Sequence, residues 1–173
     1  MTTNIALDIE LKINDVALFL NESFDKRKLK NAKIEKVGLL SRKIIPVDKN
    51  TKLYWAKNCE INCFSDKAII EPQLDISKGT SMMYGTSCYL FFTMKTLKRI
   101  TFQIINNSGA AQYHAKKIKE IAVERFGTPE ITPLNEISNL EHIVKWADKN
   151  IYFLYEFSMD YKNVYFHWMI DGQ

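Results

Sequence analysis

Apolar and polar positions alternate at the start of the chain. Positions 5, 7, 9, 11 and 13 are all isoleucine or leucine, and most residues between them are charged, which is the period of a half-buried β-strand. Asn14 or Asp15 then predicts the N-cap of a short helix, because either side chain accepts hydrogen bonds from a first helical turn. This helix has apolar residues at 16, 19, 20 and 24 and ends in a basic turn at 26–28.

The middle of the chain consists of short runs rich in β-branched and aromatic residues, separated by polar turns. A turn at 65–67 folds two of these runs into a hairpin, and residues 77–87, rich in glycine, serine and threonine, form the most loop-like stretch. The predicted extended segments and strands are 33–46, 53–55, 61–64, 68–70, 88–94 and 99–105.

The best-defined element is a helix from about 110 to 126. Its apolar residues recur at spacings of three and four, and Gly127 and Pro129 end it, because glycine suits a left-handed position and proline cannot continue a helix. Three strands with alternating apolar residues follow at 142–146, 151–157 and 164–170, after a polar linker. Their connections are short enough for antiparallel neighbours.

This order of elements predicts a single α+β domain over residues 1–173, with a mostly antiparallel sheet and two helices packed against it. The last three strands carry large side chains at both odd and even positions, so the second face of the sheet also needs a cover. The chain's own helices are the preferred cover, and a ligand or a second subunit in a homo-oligomer are the alternatives.

Composition limits the class of protein. The chain has 173 residues, 46% of them hydrophobic and 25% charged, which is typical of a globular domain and excludes a disordered or fibrous one. No apolar run approaches the roughly 18 residues needed to span a bilayer, and the first residues lack a basic leader, so no membrane anchor or signal peptide is predicted. Three cysteines, an odd number, favour a reducing, cytoplasmic location.

Positive charge is concentrated in one window. Residues 26–57 contain eleven lysines or arginines and two acidic residues, whereas the whole chain has a formal net charge of +4. A concentrated positive field attracts anionic partners, so this window predicts a binding surface with cations for attraction and two aromatic anchors. The predicted partner-binding residues are Lys26, Arg27, Lys28, Lys30, Lys33, Lys36, Arg42, Lys43, Tyr54 and Trp55.

The basic window also fits structural roles that involve no partner. Lys26 to Lys28 suit a helix C-terminus, and Arg42 and Lys43 suit an edge strand that charge protects from pairing. If the window does bind, an acidic protein surface is the favoured partner. A nucleic acid is the alternative, with Tyr54 and Trp55 stacking on bases, although a net charge of only +4 is low for a dedicated nucleic-acid-binding domain.

The glycine-containing stretch at 79–87 is a second candidate contact. A phosphate-binding P-loop needs a lysine after its second glycine, and Thr86 stands there instead. Met82, Met83 and Tyr84 offer an adaptable contact surface, because methionine packs against varied shapes. The favoured interpretation is a plain connector.

No catalytic residue, metal site or cofactor is predicted. Cys59 and Cys63 lack the second pair of ligands that structural zinc requires, and nothing in the local sequence marks a cysteine as activated by a histidine. His114 is expected on a solvated part of the long helix. The predicted function is therefore a non-enzymatic binding protein. A small-ligand protein or enzyme, with an apolar pocket between sheet and helix, is a further alternative.

Overall fold

The computed structural model describes residues 9–38, 47–64, 67–71, 73–75, 82–105, 108–133, 142–146, 151–157 and 163–170. For residues 73–75, 82–84, 105, 108–109, 111–112, 115 and from 130 onward it describes only the backbone. Over this part of the chain the secondary structure is mostly antiparallel strand. The elements are β1 (Ile9–Ile13), β2 (Val16–Phe19), α1 (Lys26–Asn31), β3 (Glu35–Lys36), β4 (Thr51–Lys57), β5 (Glu60–Cys63), β6 (Ala68–Ile70), β7 (Gln73–Asp75), β8 (Met82–Thr93), β9 (Thr96–Ile105), α2 (Ser108–Phe126), β10 (Glu130–Pro133), β11 (His142–Trp146), β12 (Ile151–Phe157) and β13 (Asn163–Ile170).

The strands form two sheets rather than the single sheet that the sequence predicted. The larger sheet has the order β10-β11-β12-β13-β9-β8-β4-β3, with β7 paired to the start of β8, and the smaller has the order β2-β1-β5-β6. All described pairings are antiparallel.

The predicted first helix is wrong, since its first half is strand β2. Asn14 and Asp15 have φ angles of 48° and 65°, and Ile13 pairs directly with Val16, so these residues form a two-residue hairpin turn. Asparagine and aspartate tolerate positive φ better than other side chains, which suits them to this turn as well as to a helix cap. Only the last predicted turn, 26–28, is helical, and it begins the six-residue α1.

Strand β8 begins earlier than predicted. Met82 to Ser87 belong to β8, where Met82 pairs with Asp75 and Ser87 pairs with Gln103, so the loop prediction for 77–87 is wrong from residue 82 onward. Residues 76–81 lie outside the described part. The turn to β9 is a second two-residue hairpin turn, with φ of 48° at Met94 and 65° at Lys95.

The long helix and the last strands are confirmed. α2 ends at Phe126, and Gly127 follows with a φ of 84° and donates its N–H to the Val123 carbonyl oxygen at 2.9 Å. This is the left-handed stop that the sequence predicted. β11, β12 and β13 lie as antiparallel neighbours within one residue of the predicted bounds, and β13 continues the sheet onto β9. The predicted linker contains the short strand β10.

The core lies between the two sheets and α2. Alternate residues of β1 are at most 1% exposed and join the same hydrophobic cluster as residues of β8 and β9 in the large sheet. α2 contributes Ile118 and Ala122 to this cluster. Both sheets and the helix therefore bury apolar residues in one shared cluster. The fully buried side chains include Ile9, Leu11, Ile13, Leu53, Ile61, Ile70, Leu90, Leu97, Ile100 and Phe102.

Candidate binding surface

Helix α1 exposes almost all of its charge. Its N-cap, Asp25, accepts hydrogen bonds from the backbone N–H groups of Arg27 at 2.8 Å and Lys28 at 3.3 Å. Leu29 is buried and fastens the helix to the core, whereas Lys26, Arg27 and Lys30 are exposed. A six-residue helix is too short to be stable alone, so the cap and the Leu29 contact hold these cations in place.

Loss of the cap is expected to destabilise the protein modestly. We expect Asp25→Ala to lower the free energy of unfolding by about 1 kcal/mol, because two N–H groups of the first turn lose their acceptor. Urea denaturation followed by circular dichroism measures this change. Asp25→Asn is the matched control and should keep most of the stability, since asparagine is an equally good N-cap. An Asn variant as unstable as the Ala variant would contradict this role.

The residues before α1 attach it to the β8–β9 hairpin. Asn21 donates its N–H to the Leu97 carbonyl oxygen at 2.7 Å, Leu97 donates to Glu22 at 2.8 Å, and Phe24 donates to Lys95 at 2.7 Å. Lys98 also donates from its ammonium group to the Asn21 side chain at 3.2 Å. The hairpin turn with Lys95 therefore lies directly beside the start of α1.

A third basic segment reaches the same end of the molecule. Asp48 accepts from the Asn50 N–H at 2.6 Å and from the Thr51 hydroxyl at 3.1 Å, which closes the turn before β4. The Thr51 hydroxyl oxygen is also 2.9 Å from that of Thr93, the last residue of β8. Lys49 and Lys52 therefore lie at the end of β8 that leads into the Met94–Lys95 turn.

We call this region the basic end. It comprises residues 21–31, 48–52 and 93–98, which hold eight basic and three acidic residues and thus a formal charge of +5. Sequence analysis missed Lys95 and Lys98, because they lie more than 60 residues from α1 and only the backbone pairing brings them near. Met94, the residue before Lys95, is 81% exposed and offers an apolar surface beside these cations. The basic residues are Lys26, Arg27, Lys28, Lys30, Lys49, Lys52, Lys95 and Lys98.

An aromatic cluster lies beneath the basic end. The Phe24 ring is 5.2 Å from that of Phe92 and 5.7 Å from that of Tyr54, and the Lys52 ammonium lies 5.0 Å from the Phe24 centroid. Lys28 forms an ion pair with Glu22. Tyr54 is half-buried, and its ring packs edge-on against Phe92 at 5.9 Å between centroids. Its role is therefore to pack beneath the basic end rather than to contact a partner.

Trp55, the other predicted anchor, lies on the opposite face of β4, because successive residues of a strand point to opposite sides. The Lys57 ammonium is 5.1 Å from its ring centroid. Trp55 and Tyr89 also line a pocket of about 220 Å³ at the β3 edge, together with residues 35–38. The structure therefore does not bring Tyr54 and Trp55 together.

The remaining predicted residues lie outside the segments that define the basic end, although Lys33 adjoins it. Lys33 follows α1 with a φ of 54° and donates its N–H to the Lys30 carbonyl oxygen, and Lys36 lies on β3 opposite Tyr54. Arg42 and Lys43 lie outside the described residues. Met82, Met83 and Tyr84 form the start of β8, opposite β7.

Two of the three cysteines lie in surroundings that disfavour their reactive thiolate form. Cys59, Cys63 and Cys88 are free and fully buried, and burial raises the pKa of the Cys63 and Cys88 thiols, which opposes formation of the thiolate. His114 was expected in solvent, but it is only 8% exposed, and burial lowers its pKa. Among the described residues, no group of three or more histidines, cysteines or acids is arranged to hold a metal ion.

Comparison with known protein families, with curated proteins and with solved structures gives no match to this chain. Within the described ranges, neither helix is long and apolar enough to cross a membrane. Helix α2 meets the core through the fully buried Ile118 and Ala122. A pocket of about 510 Å³ lies against this helix and is lined by Lys116, Lys119, Glu120, Val123 and Glu124.

Proposed function

We propose that this protein is a non-enzymatic binding protein, located in the cytoplasm, whose basic end engages an acidic surface of a partner protein. The proposal is supported by three segments with eight basic and three acidic residues, a formal charge of +5, which backbone and side-chain hydrogen bonds join to one another. Charge concentrated in this way raises the rate of encounter with an anionic partner and orients it.

Rigidity supports the same function. Backbone hydrogen bonds of 2.7–2.8 Å join the segment before α1 to the β8–β9 hairpin, and the turn at 48–50 is closed by Asp48. Cations on a fixed backbone lose less conformational freedom on binding than cations on a disordered tail. An exposed ion pair contributes only about 0–1 kcal/mol, so recognition needs several cations in one arrangement.

Nucleic acid is the alternative partner, and the aromatic residues favour a protein instead. Single-stranded nucleic acid is bound by exposed rings on which bases stack, beside a basic groove. At the basic end, Tyr54 and Phe24 pack against each other and against Phe92. Trp55 is on the opposite face of β4, away from the eight basic residues.

Charge reversal tests the proposal. The triple variant Lys26→Glu, Arg27→Glu, Lys95→Glu changes the basic end. The matched control, Lys67→Glu, Lys116→Glu, Lys119→Glu, alters the formal net charge equally, from +4 to −2. The control residues belong to the β5–β6 turn and to α2. The probes are a fluorescein-labelled peptide of alternating glutamate and serine and an oligothymidylate of the same formal charge, both measured by fluorescence anisotropy at low salt.

The basic-end variant is expected to bind the acidic peptide at least about tenfold more weakly than the native protein, which corresponds to a loss of about 1.4 kcal/mol over three contacts. The control variant should lose clearly less. Equal losses in both variants would mean that only the net charge matters and would contradict a localised site. A much stronger, steeply salt-dependent affinity for the oligonucleotide would favour the nucleic-acid alternative.

A further inference from the structure

Two of the buried thiols are in direct contact. The Cys59 and Cys88 sulfur atoms are 3.2 Å apart, with the Cys59 thiol donating to the Cys88 sulfur, although these residues are 29 positions apart in the chain. Both side chains have 0% exposure. The Cys59 thiol also lies 3.4 Å from the Ala56 carbonyl oxygen.

The backbone around both residues holds the thiols together. Cys88 lies on β8 opposite Ala56 of β4, and only Asn58 and Cys59 separate β4 from β5. Asn58 has a φ of 53° and donates its N–H to the Thr86 carbonyl oxygen at 2.8 Å, and the Thr86 hydroxyl donates to the Cys59 carbonyl oxygen at 2.5 Å. This tight connection turns Cys59 back beneath the sheet, beside Cys88.

Cys63 belongs to a different layer. It lies on β5, where it is paired with Ile9 of β1 and Ala68 of β6 in the small sheet. The fold therefore distinguishes one adjacent pair from a third thiol of similar burial. A lone buried cysteine behaves as a small apolar side chain, whereas two cysteines in contact can form a disulfide bond.

We propose that Cys59 and Cys88 are a disulfide-forming pair, which closes to an intramolecular bridge when the protein meets a disulfide oxidant such as oxidised glutathione. The Cys59 thiolate attacks one glutathione sulfur, so that a Cys59–glutathione bond forms, the glutathione disulfide breaks and one glutathione leaves. The Cys88 thiolate then attacks the Cys59 sulfur and expels the second glutathione. Two protein thiols lose two electrons and two protons, and one glutathione disulfide becomes two glutathione molecules.

Burial sets the rate of this reaction. Cys59 lies in the short β4–β5 connection, whereas Cys88 lies on a strand flanked by β4 and β9. Local opening of the connection exposes Cys59 first, and the thiol–disulfide exchange waits for that opening. Oxidation is therefore expected to be slow in the native protein and faster in urea below the unfolding transition.

The bridge is expected to stabilise the fold. It would tie the β4–β5 connection to β8 and restrict the unfolded chain over the intervening residues. For a loop of this length and a domain of this size, the melting temperature is expected to rise by roughly 5–15 °C.

The test starts with the native protein. After incubation with oxidised glutathione, with and without low urea, the sample is quenched in acid, denatured and alkylated with N-ethylmaleimide, and its intact mass is measured. The reduced protein takes up three labels, one for each cysteine. The expected oxidised product takes up one label, and peptide mapping finds Cys59 linked to Cys88. Three labels after oxidation in low urea, a bridge to Cys63 or a stable glutathione adduct would overturn the proposal.

Alanine variants of the three cysteines show which two of them form the bridge. Cys63→Ala, the matched control, should keep the bridge and the rise in melting temperature on oxidation. Cys59→Ala and Cys88→Ala should lose both. A rise in melting temperature that persists in Cys59→Ala would contradict the assignment. Should the alanine variants fail to fold, the label count on the native protein still decides the question.

Discussion

Replacement of Phe102 by alanine is expected to lower the free energy of unfolding by about 3–5 kcal/mol, the typical loss for a large aromatic side chain removed from a core. Phe102 is fully buried on β9, and its neighbours in register are Cys88 on β8 and Phe166 on β13. It belongs to the cluster shared by both sheets and α2, so the cavity would affect all three layers. Urea denaturation followed by intrinsic fluorescence measures the loss.

Two control variants show whether the loss of stability depends on the volume removed and on the burial of the side chain. Phe102→Leu keeps much of the volume and should cost clearly less than the alanine variant. Ile69→Ala removes an apolar side chain that is 41% exposed, and we expect a change of less than about 1 kcal/mol. A loss at Ile69 equal to that at Phe102 would show that the shared core does not dominate stability.

Replacement of Phe24 by alanine is the second change with a large expected effect. Phe24 is half-buried and contacts Tyr54, Phe92 and Lys52, so we expect a loss of about 2–3 kcal/mol, below the range for a fully buried ring. The residue is next to the N-cap of α1, and its N–H is bonded to Lys95. Its removal should therefore loosen α1 from the hairpin and weaken binding of the acidic peptide, measured under conditions in which the variant is folded.

Phe19→Ala is the control for this second prediction. Phe19 is a half-buried phenylalanine on β2. Its backbone is bonded to Glu22 of the basic end, and alanine keeps both of these bonds, so loss of the ring should destabilise the fold without weakening peptide binding. Equal peptide affinities for the two folded variants would mean that the position of α1 does not matter for recognition.

The elements that sequence analysis predicted best are those whose local pattern has one solution. α2 combines an apolar stripe with Gly127 in the left-handed conformation, and this combination indicates a helix end and nothing else. Residues 16–20 are apolar throughout and fit either a strand or a helix. The Asn14–Asp15 pair suits both a helix cap and a hairpin turn, so only the surrounding sheet decides between them.

The division of the strands into two sheets could not be predicted from local sequence patterns, for a similar reason. A period of two indicates a strand with one buried face, but it does not name the neighbouring strand. Residues 9–13 pair with 60–63, about fifty positions away, and this pairing creates the small sheet. The sequence therefore predicted antiparallel strands and a long helix, whereas the number of layers depended on contacts between distant segments.

The sequence prediction named only some residues of the basic end, because it treated residues that are close in sequence as close in space. The cations of α1 do lie together, since one short helix carries them. Tyr54 and Trp55 are adjacent in sequence, and for that reason they point to opposite faces of β4. Lys95 lies near the start of α1 because its carbonyl oxygen accepts a hydrogen bond from the Phe24 N–H. No local sequence pattern indicates this contact.

Nuclear magnetic resonance with anionic and neutral paramagnetic cosolutes of equal size can locate the positive charge on the surface. Their relaxation effects at each backbone amide, compared pairwise, give the local electrostatic potential. We expect a shared positive maximum at the amides of residues 26–30, 49–52 and 94–98, with lower values along 116–124 of α2. A positive potential confined to residues 26–30, or spread evenly over the surface, would show that the three segments do not form one basic surface.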